Sequence, residues 1–148
     1  MNVSHFIKSV PPLTKTHLPS ALKGFKQTAL PWLVQLYYDD KMLHYELAKL
    51  PDKYGANRLE IGMHFESRDH RLNNVLLTGF DHYLLEIRAS LGEDWWAEPW
   101  VRGWTKVYTT LHYQTLDEPF MEETALHLAK TISVIHPLYT RLRTIQKG

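Results

Sequence analysis

The feature that most restricts the fold is a change of period near residue 69. Upstream, Leu43, Tyr45 and Leu47 alternate with His44 and Glu46, while Leu59, Ile61, Met63 and Phe65 alternate with Glu60, Gly62, His64 and Glu66. Side chains two apart on a strand share a face, so both runs predict strands with one apolar side. Downstream, Leu72, Val75, Leu76, Phe80, Tyr83, Leu84, Ile87 and Leu91 recur at threes and fours as far as Gly92. That spacing predicts one long amphipathic helix with a glycine at its C-terminal cap. Strands with one greasy face and helices with one greasy stripe bury each other most economically as a sheet covered by helices.

The remaining chain fills in this frame. Pro11, Pro12 and Pro19 make residues 1–19 read as an irregular N-terminal arm. Ser20 is an N-cap for a short helix, "SALKGFKQTAL", ended by Pro31. Trp32, Val34, Leu36 and Tyr38 alternate with Leu33, Gln35, Tyr37 and Asp39, then Asp39-Asp40-Lys41 turns the chain. "PDKYGAN" supplies the next turn. "EDWWAEPWVRGW" reads as a loop or broken strand leading into a fourth strand, "WTKVYTTLHY". A last helix begins near Asp117, with Met121, Ala125, Leu128, Ala129, Ile132 and Ile135 on one face, and Pro137 is expected to kink or interrupt it. The expected fold is therefore α+β: a mainly antiparallel four-stranded sheet, built as a three-stranded meander, helix, strand and helix, with two long helices packed on one face. Residues 20–148 would form the single domain.

Composition narrows the chemistry. At 148 residues with 44% hydrophobic and 22% charged residues, the chain can bury a core without staples. Zero cysteine removes disulfides, thiolate metal sites and thiol nucleophiles, leaving His, Asp and Glu as metal ligands. No apolar run reaches signal-peptide or bilayer length, so the expectation is a soluble, cytoplasmic protein without a membrane partner. A net charge of +1 gives no broad basic footprint, so a nucleic-acid partner would depend on a local patch. Seven glycines form no phosphate-cradling run, and no serine sits in a nucleophile elbow.

Two tripeptides share a pattern, His44-Tyr45-Glu46 and His64-Phe65-Glu66. If their strands are neighbours, His44, Glu46, Glu60, His64 and Glu66 lie on one surface within a few pair spacings of about 5 Å. Gln35, Tyr37 and Asp39 can join them from the first strand, and Lys106, Tyr108 and His112 from the fourth. One reading is a divalent-metal site of imidazole and carboxylate ligands. The other is a polar sheet face on which His and Glu simply pair, with no cofactor. Trp95, Trp96, Trp100, Arg102 and Trp104 form a candidate aromatic contact loop that either stacks on a base or sugar or packs against the protein or another subunit.

From about Leu30 to Leu111 the order of elements, with "LEIGMHFE…LNNVLL…FDHYLLEIRASLG" and a following Trp-rich strand, resembles the restriction-endonuclease-like PD-(D/E)XK core. The resemblance implies carboxylates that hold magnesium and a Glu-x-Lys lysine that assists an attacking water. Here Glu60-Ile61-Gly62 stands at that place and lacks the lysine. The leading expectation is accordingly a non-enzymatic binding or self-association module, with itself or another protein as partner, on a nuclease-like scaffold. The alternative is a metal-dependent phosphodiesterase or nuclease using Glu46, Glu60, His64 and Glu66, with His44 as a further ligand.

Overall fold

Strands β3 (Leu43–Lys49) and β4 (Arg58–Phe65) pair antiparallel at the centre of the protein. The computed structural model describes residues 1–147. Around that pair it places β1 (Lys26–Leu30) and β2 (Leu33–Tyr37) on one side, and β6 (Thr105–His112) and then β5 (Trp96–Pro99) on the other. The result is a six-stranded antiparallel sheet in the order β1-β2-β3-β4-β6-β5. Four helices accompany it: α1 (Val3–Thr16), α2 (His70–His82), α3 (Leu84–Leu91) and α4 (Glu118–Lys147). The α+β class and the antiparallel sheet are as expected; the sheet has six strands rather than four.

The alternation places the core where the sequence puts it. Leu43, Tyr45, Leu47, Leu59, Ile61, Met63 and Phe65 are all buried, with Val34, Leu36 and Val107 from the flanking strands. Helices cover this face: Phe80 of α2 stacks on Phe65 with centroids 5.4 Å apart, and His136 of α4 meets the Tyr45 hydroxyl at 3.0 Å. Asp69 caps α2 by accepting from the backbone N–H groups of Arg71 and Leu72. No helix among the described residues is long and apolar enough to cross a membrane.

Four expectations need correction. Residues 1–19 are not an irregular arm, since α1 occupies most of them; Phe6, Ile7 and Val10 are fully buried, and Phe6 stacks on Phe120 of α4 at 5.6 Å. Pro11 and Pro12 deprive the Ile7 and Lys8 carbonyls of their usual intrahelical donors, but docking of the apolar face outweighs that loss. The helix expected from Ser20 shrinks to a 3-10 turn at Ser20–Leu22, and the chain continues as edge strand β1. The long helix after Asp69 breaks at Tyr83, whose φ of −91° and ψ of 2° leave the helical region. Pro137, conversely, does not end α4, which runs through it.

Candidate functional site

The register of β3 and β4 fixes the polar face. His44 pairs with His64, Glu46 with Gly62 and Ala48 with Glu60, so the two imidazoles project from the same side, opposite the apolar layer. Their rings lie 5.8 Å apart and within 21° of parallel. Gly62 has a structural reason to be glycine: a Cβ there would sit 2.3 Å from the Val107 carbonyl oxygen and 2.6 Å from the Tyr108 Cβ, so β6 approaches closer than any side chain allows.

The histidines and glutamates on this face are withdrawn from water. His44 and His64 are 2% and 1% exposed, and Glu46, Glu60 and Glu66 are also buried. Trp100, at the start of the β5–β6 connection, packs edge-on against His64 at 5.3 Å. Buried ionisable groups must be paired, and these are. His64 Nε2 lies 2.8 Å from Glu60 and its Nδ1 3.1 Å from Glu66. Carboxylates only accept, so both ring nitrogens carry protons and His64 is an imidazolium. Burial acts to lower its pKa, but the surrounding Glu46, Glu60 and Glu66 prevail and push it up to about 10. The same attraction, opposing the upward pull of burial, holds Glu46 and Glu60 below the usual glutamate range. Lys106 Nζ donates to Glu60 at 2.6 Å. Across the other strands, Thr28 donates to Gln35, and Gln35 donates to Glu46 at 3.3 Å.

His44 is held differently. Its Nδ1 donates to the Lys41 carbonyl at 2.9 Å, which leaves Nε2 as the nitrogen turned towards the carboxylates. That buried nitrogen has no hydrogen-bond partner, although Glu46 Oε1 and Glu66 Oε1 stand 3.4 and 3.8 Å away. One ligand atom from each of His44, Glu46, His64 and Glu66 lies within 4.8 Å of all the others. Glu60 is set apart from this quartet by its bond to Lys106.

Beside the cluster opens a cleft of about 970 Å³. Trp32, Tyr54, Trp100 and Tyr108 line it together with Glu46, Glu60, Lys106, Arg58 and Glu98. Lys106 Nζ lies 4.2 Å from the Tyr108 ring centroid and 5.1 Å from that of Trp100. Tyr108 donates to Glu98, and Arg58 donates to Thr110.

Of the additional residues expected on this face, Gln35, Lys106 and Tyr108 join the site. Asp39 instead accepts from the Tyr139 hydroxyl of α4 at 3.1 Å, and His112 is exposed at the end of β6. The tryptophan group divides. Trp95 is 1% exposed and belongs to the core, which removes it from any contact surface. Trp96 is half exposed with Arg88 over its ring, Trp100 lines the cleft, and Trp104 lies between Trp100 and Arg102. Sequence reasoning missed Trp32, Tyr54 and Arg58 as cleft residues. The only available signal was an aromatic placed inside each of two turns, Pro31-Trp32 and "PDKYGAN". Compared with family models, curated proteins and solved structures, the chain matches none of them.

Proposed function

We propose that the protein is a binding module that takes a small molecule bearing a planar ring into the cleft on the polar face of the sheet. One observation carries the reading: a cavity of about 970 Å³ is lined by four aromatic side chains together with the buried, ionised Glu46 and Glu60. Ligand sites are typically concave and apolar with a few convergent polar groups, and perturbed carboxylates and imidazoles gather at such sites more often than on structural faces. Trp32 and Trp100, 52% and 44% exposed, leave ring surface for stacking. The test is a ligand screen with small aromatic fragments, read by NMR on the indole N–H groups and on Lys106. Fragment-induced shifts concentrated at Trp32, Trp100 and Lys106 support the reading. Shifts scattered over the surface, or confined to Trp96, refute it.

A second reading, metal-dependent phosphodiester hydrolysis, is favoured by the position of Lys106. The strand carrying Glu60 has no lysine two residues on, yet β6 brings Lys106 to within 2.6 Å of the Glu60 carboxylate. A lysine from the neighbouring strand thus stands where charge on a phosphate would need balancing. Turnover of bis(p-nitrophenyl) phosphate by protein supplied with Mn²⁺ or Zn²⁺, lost in Lys106→Met, supports it. No turnover with either metal ends it.

A further inference from the structure

We infer that His44, Glu46, His64 and Glu66 form a binding site for a first-row divalent cation of the zinc or manganese type. The inference does not depend on what occupies the cleft, and it is a precondition of the hydrolytic reading.

The Nδ1–H of His44 is committed to the Lys41 carbonyl, so Nε2 is the ring nitrogen aimed at two carboxylate oxygens, at 3.4 and 3.8 Å. Three potential ligand atoms then face one another in a pocket where His44 is 2% exposed, and Nε2 has no hydrogen-bond partner. A buried polar atom in that state costs free energy unless something bridges it. A cation supplies the missing positive partner to all three at once. Pinning the distal ring nitrogen on a backbone carbonyl is also the usual way a metal-binding histidine is oriented.

Spacing agrees. Four ligands in a tetrahedron about 2.0–2.1 Å from zinc lie roughly 3.3–3.4 Å from one another. His44 Nε2 lies 3.4 Å from Glu46 Oε1 and 3.8 Å from Glu66 Oε1; separations within the quartet reach up to 4.8 Å and need a modest inward contraction. On loading, the cation replaces one N–H proton of His64, which is released to solvent. Glu60 keeps Lys106 and stays outside the ligand set. Two imidazoles with two carboxylates suit zinc, manganese or iron(II), whereas magnesium and calcium prefer an all-oxygen shell.

The experiment uses the full chain, stripped with chelator and then titrated with Zn²⁺, Mn²⁺, Mg²⁺ and Ca²⁺ by calorimetry and thermal melting. Expected are one tight Zn²⁺ or Mn²⁺ per chain, a melting temperature raised by roughly 5–10 °C at a hundredfold excess over Kd, and no comparable response to Mg²⁺ or Ca²⁺. His44→Ala and Glu66→Gln should each weaken binding by at least about tenfold to a hundredfold. Should either variant fail to fold, imidazole ¹⁵N spectra of the native chain decide: Zn²⁺ must move the His44 Nε2 resonance. Absence of tight binding overturns the inference, as does tight binding that survives both substitutions or leaves His44 Nε2 unmoved, because the ion then sits on other histidines of the nine.

Discussion

His44 and His64 stand directly opposite each other on β3 and β4, ring centroids 5.8 Å apart, yet they are anchored differently. His64 has a carboxylate at each nitrogen and is doubly protonated, whereas His44 has a carbonyl at one nitrogen and no donor or acceptor in bonding geometry at the other. The asymmetry comes from the backbone of the β2–β3 turn. It leaves one ring held by carboxylates at both nitrogens and the other with one buried nitrogen unpartnered.

Breaking the Lys106–Glu60 pair should be costly. Both groups are largely withdrawn from water, and Lys106→Met leaves Glu60 facing only His64. Losing one partner of a buried pair typically costs about 3–5 kcal/mol. Because Lys106 keeps some solvent access, the lower end is expected by urea denaturation, with partial recovery in Lys106→Met/Glu60→Gln. An unchanged urea midpoint in the single variant would contradict the pairing.

Gly62→Ala forces β6 away from β4, since the new methyl meets backbone rather than a movable side chain. Overpacking of this kind costs about 1–3 kcal/mol. Lys106 and Tyr108 should shift with the strand, so amide exchange along β6 should accelerate. Native-like protection in the variant would count against the close approach.

Trp100→Ala removes a cleft wall and the edge contact to His64, but the side chain is 44% exposed. Stability should fall by no more than about 1–2 kcal/mol, below the cost of truncating a fully buried tryptophan. Binding of any fragment that perturbs Trp32 and Lys106 should nevertheless weaken by at least about tenfold, as expected for an aromatic anchor. The reverse outcome, strong destabilisation with binding intact, would assign Trp100 to packing alone.

Acid should weaken the contact between sheet and α4. The buried Tyr45 hydroxyl donates to His136 Nδ1, which accepts only when the ring is neutral. Burial holds the His136 pKa below its ordinary value, despite an opposing pull from Asp39. A depressed histidine contributes stability that is present above the unfolded pKa near 6.5 and lost as pH falls through the folded one. Melting temperature should therefore decline between about pH 7 and pH 5, before the carboxylates titrate. His136→Gln, which still accepts a hydrogen bond, should flatten that slope.

Removing residues 1–16 tests whether the N-terminal segment belongs to the fold. Phe6, Ile7 and Val10 are fully buried. At about 1.5–3 kcal/mol each, their burial is on the order of 5–9 kcal/mol, comparable with the whole stability of many domains, about 5–15 kcal/mol. The truncated chain should be unfolded or aggregated by circular dichroism and light scattering. A cooperative melt would show that α1 is dispensable.

The strands that sequence reading located are those with one wet and one greasy face, because only those carry a period of two. β3 and β4 were legible for this reason, and so was the shared surface of His44, Glu46, Glu60, His64 and Glu66. β1 is mostly exposed and β5 is four residues long at the opposite edge, so neither has a buried side to imprint a pattern. Leu22, Phe25 and Ala29 mimic a helical spacing across what is a turn followed by β1. α1 was hidden by the opposite error, since Pro11 and Pro12 signal a break that tertiary packing overrides. The different anchoring of the two histidines was not legible at all. It depends on a main-chain oxygen, and main-chain oxygens are the same in every sequence.

The turn that grips His44 gives the short link between β2 and β3 a second duty. Asp40 accepts from the Met42 and Leu43 amides, and this geometry aims the Lys41 carbonyl at the imidazole. Lengthening that bend by a single residue would leave every member of the quartet in place while releasing the ring to flip or re-tautomerise. Relatives that use this face for the same purpose should therefore tolerate changes of side chain at positions 40–42 far better than changes of loop length.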